Sequence, residues 1–355
     1  MDARKLLEQW NLQPSKGLGQ NFLVERAALE KIVAAAELTP DDVVLEIGAG
    51  LGTLTGRLAQ CAGHVVAVEL DQRLIPVLEH VLSGLDNVTL VQGDILALDP
   101  ATILQAQIAN RKSQIGKSAN RKSANRQIRK SQIGKSANQQ ISNLQLPVAS
   151  PQSPASYLLH PASCIHYKVV ANLPYYITSA VLRHLLEASL KPQRMVLTVQ
   201  REVAERIVAR PGQMSLLAVS VQFYGQPKLM FRIRPGSFYP SPEVESAVVR
   251  IDLHAAPPVP VEDTAAFFRV VRAGFAQRRK QLRNTLAAGL RRSPEEVAAR
   301  LREAGVDPRQ RAEALSLEEW ARVAQVLANI TVETPSTCSL HPGSGQKNDG
   351  AHLQR

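Results

Sequence analysis

Cysteine is scarce in this sequence of 355 residues, and its three copies stand far apart, at Cys61, Cys164 and Cys338. Disulfide frameworks and cysteine-based metal sites show even numbers of cysteines or short characteristic spacings between them. The sequence therefore predicts neither a disulfide framework nor a metal centre, and we interpret the three cysteines as incidental.

Long apolar runs are also missing. No stretch approaches the roughly 18 apolar residues of a membrane span. Residues 1–20 carry charges and lack an apolar core of signal-peptide length. We therefore expect a cytoplasmic protein without membrane association. With 45% hydrophobic residues, a chain of this length can bury a sizeable core and is expected to form two domains.

Acidic residues are absent from one strongly basic segment, which dominates the net charge. Residues 110–140 contain nine Lys or Arg and no Asp or Glu, so the net charge of +11 falls to +2 without them. The overall charge alone therefore says little about a nucleic-acid partner.

The same segment is repetitive. The sequence KSQIGKSAN occurs at residues 112–120 and again at 130–138. A polar repeat without an apolar face cannot bury enough surface to offset the entropy of ordering it. We predict a flexible, low-complexity insert over about residues 105–161, and we interpret it as a passenger in a surface loop, because long surface insertions cost little closure entropy. The alternative is a basic arm that binds RNA.

A glycine-rich turn follows the first clear strand pattern. The β-branched run 42–47 leads into Gly48-Ala49-Gly50-Leu51-Gly52, and residues 53–61 read as a helix. A strand, a glycine turn and a helix allow a ligand to approach the backbone at a helix N-terminus. The G-x-G-x-G spacing favours a ligand without a pyrophosphate, and Glu46 is expected to attract its cationic group. The alternative is a plain tight turn.

Acidic residues follow the next two predicted strands. Glu69 lies in the strand pattern 64–70, at about the distance from the glycines where an acid holds ribose hydroxyls in nucleotide-binding folds. Asp94 follows the strand 88–92 and can accept a hydrogen bond from an adenine amino group. A surface acid and an ordinary Gly-Asp turn are the alternatives.

The chain is organised around Asn172 to Thr178, which read Asn-Leu-Pro-Tyr-Tyr-Ile-Thr after the apolar run 168–171. This position corresponds to the carboxyl end of a strand, where open α/β sheets hold their ligands. The Asn172 side-chain oxygen and a backbone carbonyl beside Pro174 can accept both hydrogens of an adenine amino group. Tyr175 or Tyr176 can stack on a base turned out of its helix. The alternative is a strand that ends in a proline turn with two half-buried tyrosines.

The remaining pattern divides the chain. Seven strands are predicted, the first five linked by helices or by the insert, which indicates an α/β domain with a mostly parallel sheet over residues 1–255. Only helical patterns follow, and we predict a small helical domain over 256–330. Residues 331–355 are rich in Gly, Pro, Ser and His, and we predict a disordered tail.

One basic motif lies in the predicted helical domain, and it is expected to lie on a helix and to grip RNA phosphates. Its members are Arg278, Arg279, Lys280 and Arg283. The alternative is a solvated helix face.

Taken in order, these motifs resemble those of the KsgA/RsmA family of ribosomal RNA adenine dimethyltransferases, over residues 15–330 apart from the insert. The matching segments are Gly-Gln-Asn-Phe-Leu at Gly19, Glu-Ile-Gly-Ala-Gly-Leu-Gly at Glu46, Val-Glu-Leu-Asp at Val68, Gly-Asp at Gly93, Asn-Leu-Pro-Tyr at Asn172, Gln-Arg-Glu-Val-Ala-Glu-Arg at Gln200, Phe-Tyr-Pro-Ser-Pro-Glu-Val-Glu-Ser-Ala-Val-Val-Arg at Phe238 and Gln-Arg-Arg-Lys at Gln277. Two departures are Ala49, where the family often has proline, and the insert, which separates motifs that are otherwise much closer.

The resemblance implies a Rossmann-like class I methyltransferase domain that uses S-adenosylmethionine, followed by a helical RNA-binding domain. The implied cofactor-binding residues are Asn21, Leu23, Gly48, Glu69, Asp94 and Asn172. The implied catalytic residues are Asn172, which bridges cofactor and amine, Leu173 and Pro174, which supply backbone, and Tyr175, which packs against the base.

The reaction implied is transfer of two methyl groups to N6 of each of two adjacent adenosines, in a hairpin near the 3′ end of small-subunit ribosomal RNA. The implied partner is this RNA or an assembly intermediate of the small subunit, and we expect a monomer without a metal. Three rivals stay open: an Erm-like methylase of large-subunit RNA, a non-catalytic assembly or DNA-binding factor similar to mitochondrial transcription factor B, and a nicotinamide dehydrogenase.

Overall fold

The structure, a computed structural model, describes residues 3–106 and 166–328. The main strands are β2 (Val43–Ile47), β3 (His64–Glu69), β4 (Val88–Gln92), β5 (Tyr167–Asn172), β6 (Arg194–Gln200), β7 (Gly225–Ile233) and β9 (Ser246–Leu253), and two short strands are β1 (Phe22–Leu23) and β8 (Phe238–Tyr239). The helices are α1 (Ala3–Gln9), α2 (Arg26–Ala36), α3 (Thr53–Cys61), α4 (Ile75–Leu82), α5 (100–106), α6 (Thr178–Glu187), α7 (Arg201–Ile207), α8 (Leu216–Tyr224), α9 (Thr264–Phe275), α10 (Leu282–Leu290), α11 (Pro294–Glu303) and α12 (Leu317–Ala328).

The seven main strands form one sheet in the order β4-β3-β2-β5-β6-β9-β7. The first five strands of this order, β4, β3, β2, β5 and β6, pair in parallel, whereas β9 is antiparallel to both of its neighbours. Apolar side chains cover both faces of the central strands, as expected for a sheet with helices on both sides. The predicted α/β class, with seven mostly parallel strands, is confirmed.

The order of the strands reverses between β2 and β5. The chain runs outward from β2 through β3 to β4 and then returns to β5 on the other side of β2. Ile47 pairs with Ala171 at the carboxyl ends of these two strands, so Gly48 and Asn172 emerge side by side. A crevice at such a reversal is where open α/β sheets bind ligands.

The helices α9 to α12 enclose a separate apolar cluster. Trp320 is fully buried there among Phe267, Leu286 and Leu301. Helix α8 also contributes, through residues such as Phe223, so the cluster begins before the predicted boundary at residue 256. A small helical unit at this end of the described chain agrees with the helical pattern of the sequence. Its limits as an independent domain stay a prediction.

Three features were not predicted correctly. Helix α1 and the two-stranded sheet formed by β1 and β8 were missed. Most of the basic motif lies outside the helices. Residues 276–281 form the turn between α9 and α10, and of the four basic residues Arg283 is the one in a helix. A helix continuous with α9 would need the Leu282 and Arg283 amides to bond four residues back, but they donate to the Gln310 and Pro308 carbonyls instead, at 2.7 and 3.2 Å. The predicted insert from residue 107 onward and the predicted tail lie outside the described residues.

Within the ranges 3–106 and 166–328, no helix combines the length and apolar character needed to cross a bilayer. In the same ranges, no three His, Cys, Asp or Glu side chains are grouped so that they could hold a metal ion.

Candidate active site

A pocket of about 780 Å³, its open mouth included, lies at the carboxyl edge of β2, β3, β4 and β5. Five parts of the chain contribute to its wall: residues 18–22, 47, 48 and 50, 68–70 and 74, 93–95, and 172–177. Every motif expected at a strand end from the sequence therefore reaches the same cavity. The location, at the carboxyl ends of parallel strands, is that of a small-molecule site.

The glycine turn forms the pocket's inner wall. Gly48 and Gly50 have φ angles of 75° and 59°, which favour glycine over residues with a side chain. A Cβ on Gly50 would lie 3.0 Å from the Phe22 ring, and one on Gly48 would lie 3.7 Å from the Asn172 carbonyl oxygen. The turn therefore keeps bare backbone against the cavity, and helix α3 begins directly behind it.

Glu69, at the end of β3, is anchored by the backbone. Its two carboxyl oxygens accept hydrogen bonds from the Gly50 and Asp71 amides, each at 2.8 Å. Burial raises the pKa of Glu69, the two amide hydrogen bonds oppose this, and the charge of Asp71 adds to it. A carboxylate fixed by amides retains further lone pairs for the hydroxyls of a ligand.

The opposite wall is partly apolar. Leu70 is 43% exposed, although large apolar side chains are usually buried, and it lines the pocket together with Ile95. Asp94 lies at the same end, where one of its oxygens accepts from the Leu96 amide at 2.9 Å. Apolar faces beside a carboxylate oxygen suit a flat heterocycle with an exocyclic amino group. Together with the bare glycine backbone and Glu69, these residues fit an adenosine-bearing cofactor such as S-adenosylmethionine.

Asn172 stands where the pocket meets the N-terminal segment. Its Nδ2 donates to the backbone carbonyl of Asn21 at 3.0 Å. Because a carbonyl can only accept, this bond assigns the amide's orientation and leaves Oδ1 as the acceptor for a ligand. The residue supplies an oriented acceptor at the carboxyl end of β5, as the sequence predicts.

Tyr175 is held from behind. Its hydroxyl and that of Ser246 lie 2.7 Å apart, and Ser246, the first residue of β9, is 0% exposed. Burial raises the pKa of Tyr175, and the hydrogen bond with Ser246 opposes the shift. Tyr176, by contrast, is 60% exposed beside Gly19. Tyr175 is therefore the fixed aromatic of the pair and Tyr176 the exposed one.

A second depression shares a wall with the pocket. Residues 19–21 and Tyr175 line both cavities, and the second is completed by residues that include Lys16, Gln200 and 240–244. The Pro-Ser-Pro-Glu-Val part of the conspicuous motif at Phe238 therefore lines this depression. Two adjoining cavities that share Tyr175 and residues 19–21, with Asn172 in the wall of the first and bonded to the shared Asn21, suit a reaction between two different molecules.

Two expectations for individual residues do not match the geometry. Glu46 was expected to face a cationic ligand group, but it is 1% exposed and does not line the pocket. The reason is strand alternation: Ile47 faces the cavity, so Glu46 faces the opposite side of the sheet. Leu23 is also absent from the pocket wall; it is 2% exposed and pairs with Phe238.

The basic motif is not part of either cavity. Arg278, Arg279 and Lys280 are exposed in the turn after α9, and Arg283 is partly buried on α10, where its Nε donates to Gln281. It can therefore contact a large ligand but not a cofactor in the pocket.

The sequence did not identify two side-chain pairs that support the site. Gln20 bonds to Asp71 across 51 positions, and Ser246 bonds to Tyr175 across 71. Gln20 and Ser246 both lie inside motifs that the sequence singled out, which was the available signal, but no local pattern predicts such distant pairings.

Comparison with known proteins identifies the family. The family model described as ribosomal RNA adenine dimethylase matches residues 11–329. The ribosomal RNA small subunit methyltransferase A of Dehalococcoides mccartyi strain CBDB1 is 41% identical over 321 residues, which cover 90% of this chain and 91% of that protein. The protein of the same name from Pelotomaculum thermopropionicum is 39% identical over 325 residues, covering 91% and 94%.

Solved structures agree in fold. The crystal structure of the 23S rRNA methyltransferase ErmE superposes with a TM-score of 0.57 at 26% identity, over 87% of this chain and 100% of that one. A dimethyladenosine transferase from Plasmodium falciparum gives a TM-score of 0.59 at 18% identity, over 85% and 95%, a similarity that concerns the fold alone. The chain belongs to the ribosomal RNA adenine dimethylase family, as its motifs predict.

Proposed function

We propose that this protein transfers two methyl groups from S-adenosylmethionine to N6 of each of two adjacent adenosines, in a hairpin near the 3′ end of small-subunit ribosomal RNA, during ribosome biogenesis. The observation that carries the proposal is the Asn172 amide in the wall of the first cavity, oriented by the carbonyl of Asn21, a residue that lines both cavities. One cavity suits the cofactor and the other the target nucleoside.

The chemistry of an adenine amino group explains what the site must do. Its lone pair is delocalised into the ring, so the nitrogen is a poor nucleophile until its hydrogens are held out of the plane of conjugation. In our proposal Asn172 Oδ1 accepts one hydrogen and the Leu173 carbonyl accepts the other. Pro174, which follows, has no backbone N–H with which to compete for either acceptor. No general base is needed before attack, because the proton becomes acidic only when the nitrogen carries the methyl group.

Tyr175 is proposed to pack against the target base. Its ring lines the second depression and its hydroxyl is tied to buried Ser246, which limits the motion of the ring. A fixed aromatic surface can hold a base that has left its stack, at a modest cost in unpairing energy.

The cofactor is proposed to occupy the pocket lined by the glycine turn. Gly48 and the Asn21 backbone would contact its methionine part, Glu69 its ribose hydroxyls and Asp94 its adenine amino group. Leu23 would act from behind the wall, because its side chain does not reach the cavity. When bound, S-adenosylmethionine supplies an electrophilic methyl group. The residues of the chain orient the two reactants and exclude water from between them.

RNA is proposed to contact the exposed turn of Arg278, Arg279 and Lys280, with Arg283 beside it on α10. Several cations on one exposed surface can replace the counterions of neighbouring phosphates. We further propose that the substrate is an assembly intermediate of the small subunit, that the protein acts as a monomer, and that it works in the cytoplasm where this RNA is processed.

The main rival is methylation of large-subunit RNA, because a 23S rRNA methyltransferase shares the fold at 26% identity. Small-subunit specificity is favoured by relatives of about 40% identity that are named for the small subunit and by the Phe-Tyr-Pro-Ser-Pro-Glu-Val motif at Phe238. A purely structural role in assembly is disfavoured by the intact residues Asn172 to Tyr175.

The substitution Asn172→Ala tests the proposal. It should abolish transfer of labelled methyl groups to small-subunit RNA while RNA binding stays close to that of the wild type, because Asn172 holds the amine and lies outside the basic turn. Asn87→Ala is the matched control: this amide donates to the Ala59 and Ala62 carbonyls at 2.8 and 3.0 Å, and Asn87 lines neither cavity. The control should lower thermal stability but not transfer per folded molecule. Unchanged turnover in Asn172→Ala contradicts the proposal.

A further inference from the structure

Gln20 uses both ends of its side-chain amide. Oε1 accepts from the Ser15 backbone N–H at 2.7 Å, and Nε2 donates to Asp71 Oδ2 at 2.8 Å. An N–H can only donate and a carboxylate only accepts, so the orientation of this amide is fixed. The contacts join the N-terminal strap, which we define as residues 15–23, to the loop that follows β3.

Asp71 is a firm anchor for the strap. The Arg73 guanidinium lies 2.7 Å from its carboxylate and, by hydrogen bonding, lowers the pKa of Asp71. The bond from Gln20 is therefore made to a charged acceptor, which strengthens it. The backbone N–H of Asp71 also donates to Glu69 at 2.8 Å. Gln20 is thus linked through one residue to the acid proposed to hold the cofactor's ribose.

The next residue of the strap reaches the catalytic amide. The carbonyl of Asn21 accepts from Asn172 Nδ2 at 3.0 Å, and this bond aims Oδ1 at the target. A shift of the strap moves that acceptor directly. Misplacement of a catalytic group by about 1 Å can cost on the order of a hundredfold in rate.

The strap also separates the two cavities. Residues 19–21 line both the cofactor pocket and the second depression. Within residues 3–106 and 166–328, Gln20 provides the side-chain hydrogen bond that joins the strap to the loop after β3. The strap is therefore a wall common to both cavities, and the Gln20–Asp71 hydrogen bond fixes it to the loop after β3.

We infer that Gln20 is a positioning residue: its hydrogen bond to Asp71 holds the N-terminal strap over the cofactor pocket and, through the Asn21 carbonyl, aims the Asn172 amide. The inference rests on the proposed function for the second of these effects. The first effect concerns cofactor affinity and can be measured without methyl transfer.

The test is an exchange of hydrogen-bonding partners in the full-length protein. Gln20→Glu sets two carboxylates against each other, and Asp71→Asn sets two amides together. In the double variant, the amide nitrogen introduced at position 71 can donate to the carboxylate introduced at position 20. The amide oxygen at position 71 can still accept from the Arg73 backbone N–H and Nε, which bond to Asp71 Oδ1 in the wild type. The Arg73 Nη2 donor, which bonds to Asp71 Oδ2 in the wild type, loses that acceptor and turns to water, because the Arg73 side chain is 50% exposed. Gln13→Ala, an exposed glutamine just before the strap, is the control.

The first readout is calorimetric affinity for S-adenosylhomocysteine, together with hydrogen exchange of the strap amides. Gln20→Glu should weaken binding by about tenfold or more and speed exchange in the strap, as expected for the loss of a hydrogen bond to a charged group. The double variant should recover to within about threefold of the wild type, and Gln13→Ala should not differ from it. The inference is overturned if Gln20→Glu changes neither the affinity nor the hydrogen exchange of the strap. It is also overturned if the double variant binds S-adenosylhomocysteine no more tightly than the weaker single variant.

The second readout is methyl transfer to small-subunit RNA at saturating S-adenosylmethionine. A kcat of Gln20→Glu that stays at least about tenfold low at saturation, with recovery in the double variant, supports the effect on Asn172. A loss confined to KM for the cofactor overturns that part. A third outcome separates the two proposals: cofactor affinity falls in the single variants and recovers in the double variant, but the wild type methylates no small-subunit RNA. In that case the proposed function fails, while the strap's role at the cofactor pocket is supported.

Discussion

Replacing Glu46 with glutamine tests how the sheet accommodates a buried acid behind the glycine turn. Glu46 pairs with Ala67 on one side and Val170 on the other, and it is 1% exposed. Burial raises the pKa of Glu46 to about 8; the nearby Thr55 hydroxyl opposes the shift, and the charge of Glu69 adds to it. The side chain is therefore a neutral acid at neutral pH in the folded protein.

The sign of the effect on stability follows from the two pKa values. In the unfolded chain Glu46 ionises near its ordinary value of 4.5, and in the folded protein near 8. Between these values the folded state binds one more proton, so the free energy of unfolding falls by roughly 1.4 kcal/mol per pH unit as the pH rises. This contribution is fully present below about pH 4.5 and lost by about pH 8, and in total it is on the order of 5 kcal/mol.

The assay is urea denaturation of wild type and Glu46→Gln. Glutamine does not titrate, so the stability of the variant relative to the wild type should rise by roughly 3 kcal/mol from about pH 5.5 to about pH 7.5. Other titrating groups cancel in this difference. Glu79→Gln, on the exposed side of α4, is the control and should show no such trend. A relative stability of Glu46→Gln that is independent of pH would refute the reasoning.

Three further predictions concern the base-packing tyrosine, the basic turn and the insert. Ser246→Ala removes the partner of the Tyr175 hydroxyl, and denaturation should show a loss of about 1–2 kcal/mol with reduced methyl transfer; an unchanged transfer rate would mean that Ser246 does not position the ring. Arg279→Ala should weaken RNA binding and lower the slope of log affinity against log salt by about one, whereas exposed Arg4→Ala on α1 should change neither. Deletion of residues 110–140 should preserve activity, measured as methyl transfer at physiological salt; a large fall in rate would instead assign the segment a role in RNA binding.

The fold was largely predictable because strands β2, β3 and β5 are apolar runs that end at Gly48, Glu69 and Asn172. The other four strands of the sheet were also predicted, and the ends of β2 and β5 indicated where a ligand binds. Helix α1 was missed because seven residues with two buried leucines are too short to show a period. Strands β1 and β8 have two residues each and are defined by their mutual pairing, which no local pattern carries.

The site was predictable where a side chain's role depends on its position at a strand end. Asn172, Glu69 and Asp94 all reach the pocket for this reason. Glu46 was placed wrongly because neighbouring residues of a strand face opposite sides, and the direction of the sheet's faces is a tertiary property. Gln20 and Ser246 were overlooked because their partners are distant in sequence. The basic motif was misread as helical because its charges contain no signal for the turn that precedes buried Leu282.

Mapping N6-dimethyladenosine in both ribosomal RNAs tests the central claim most directly. The comparison uses cells that carry the wild-type gene, cells that lack it, and cells that carry the Asn172→Ala variant. We predict two adjacent dimethylated adenosines near the 3′ end of the small-subunit RNA with the wild type alone, and unmodified adenosines there in the other two strains. Modification that persists without the protein, or that depends on it in the large-subunit RNA instead, would contradict the account.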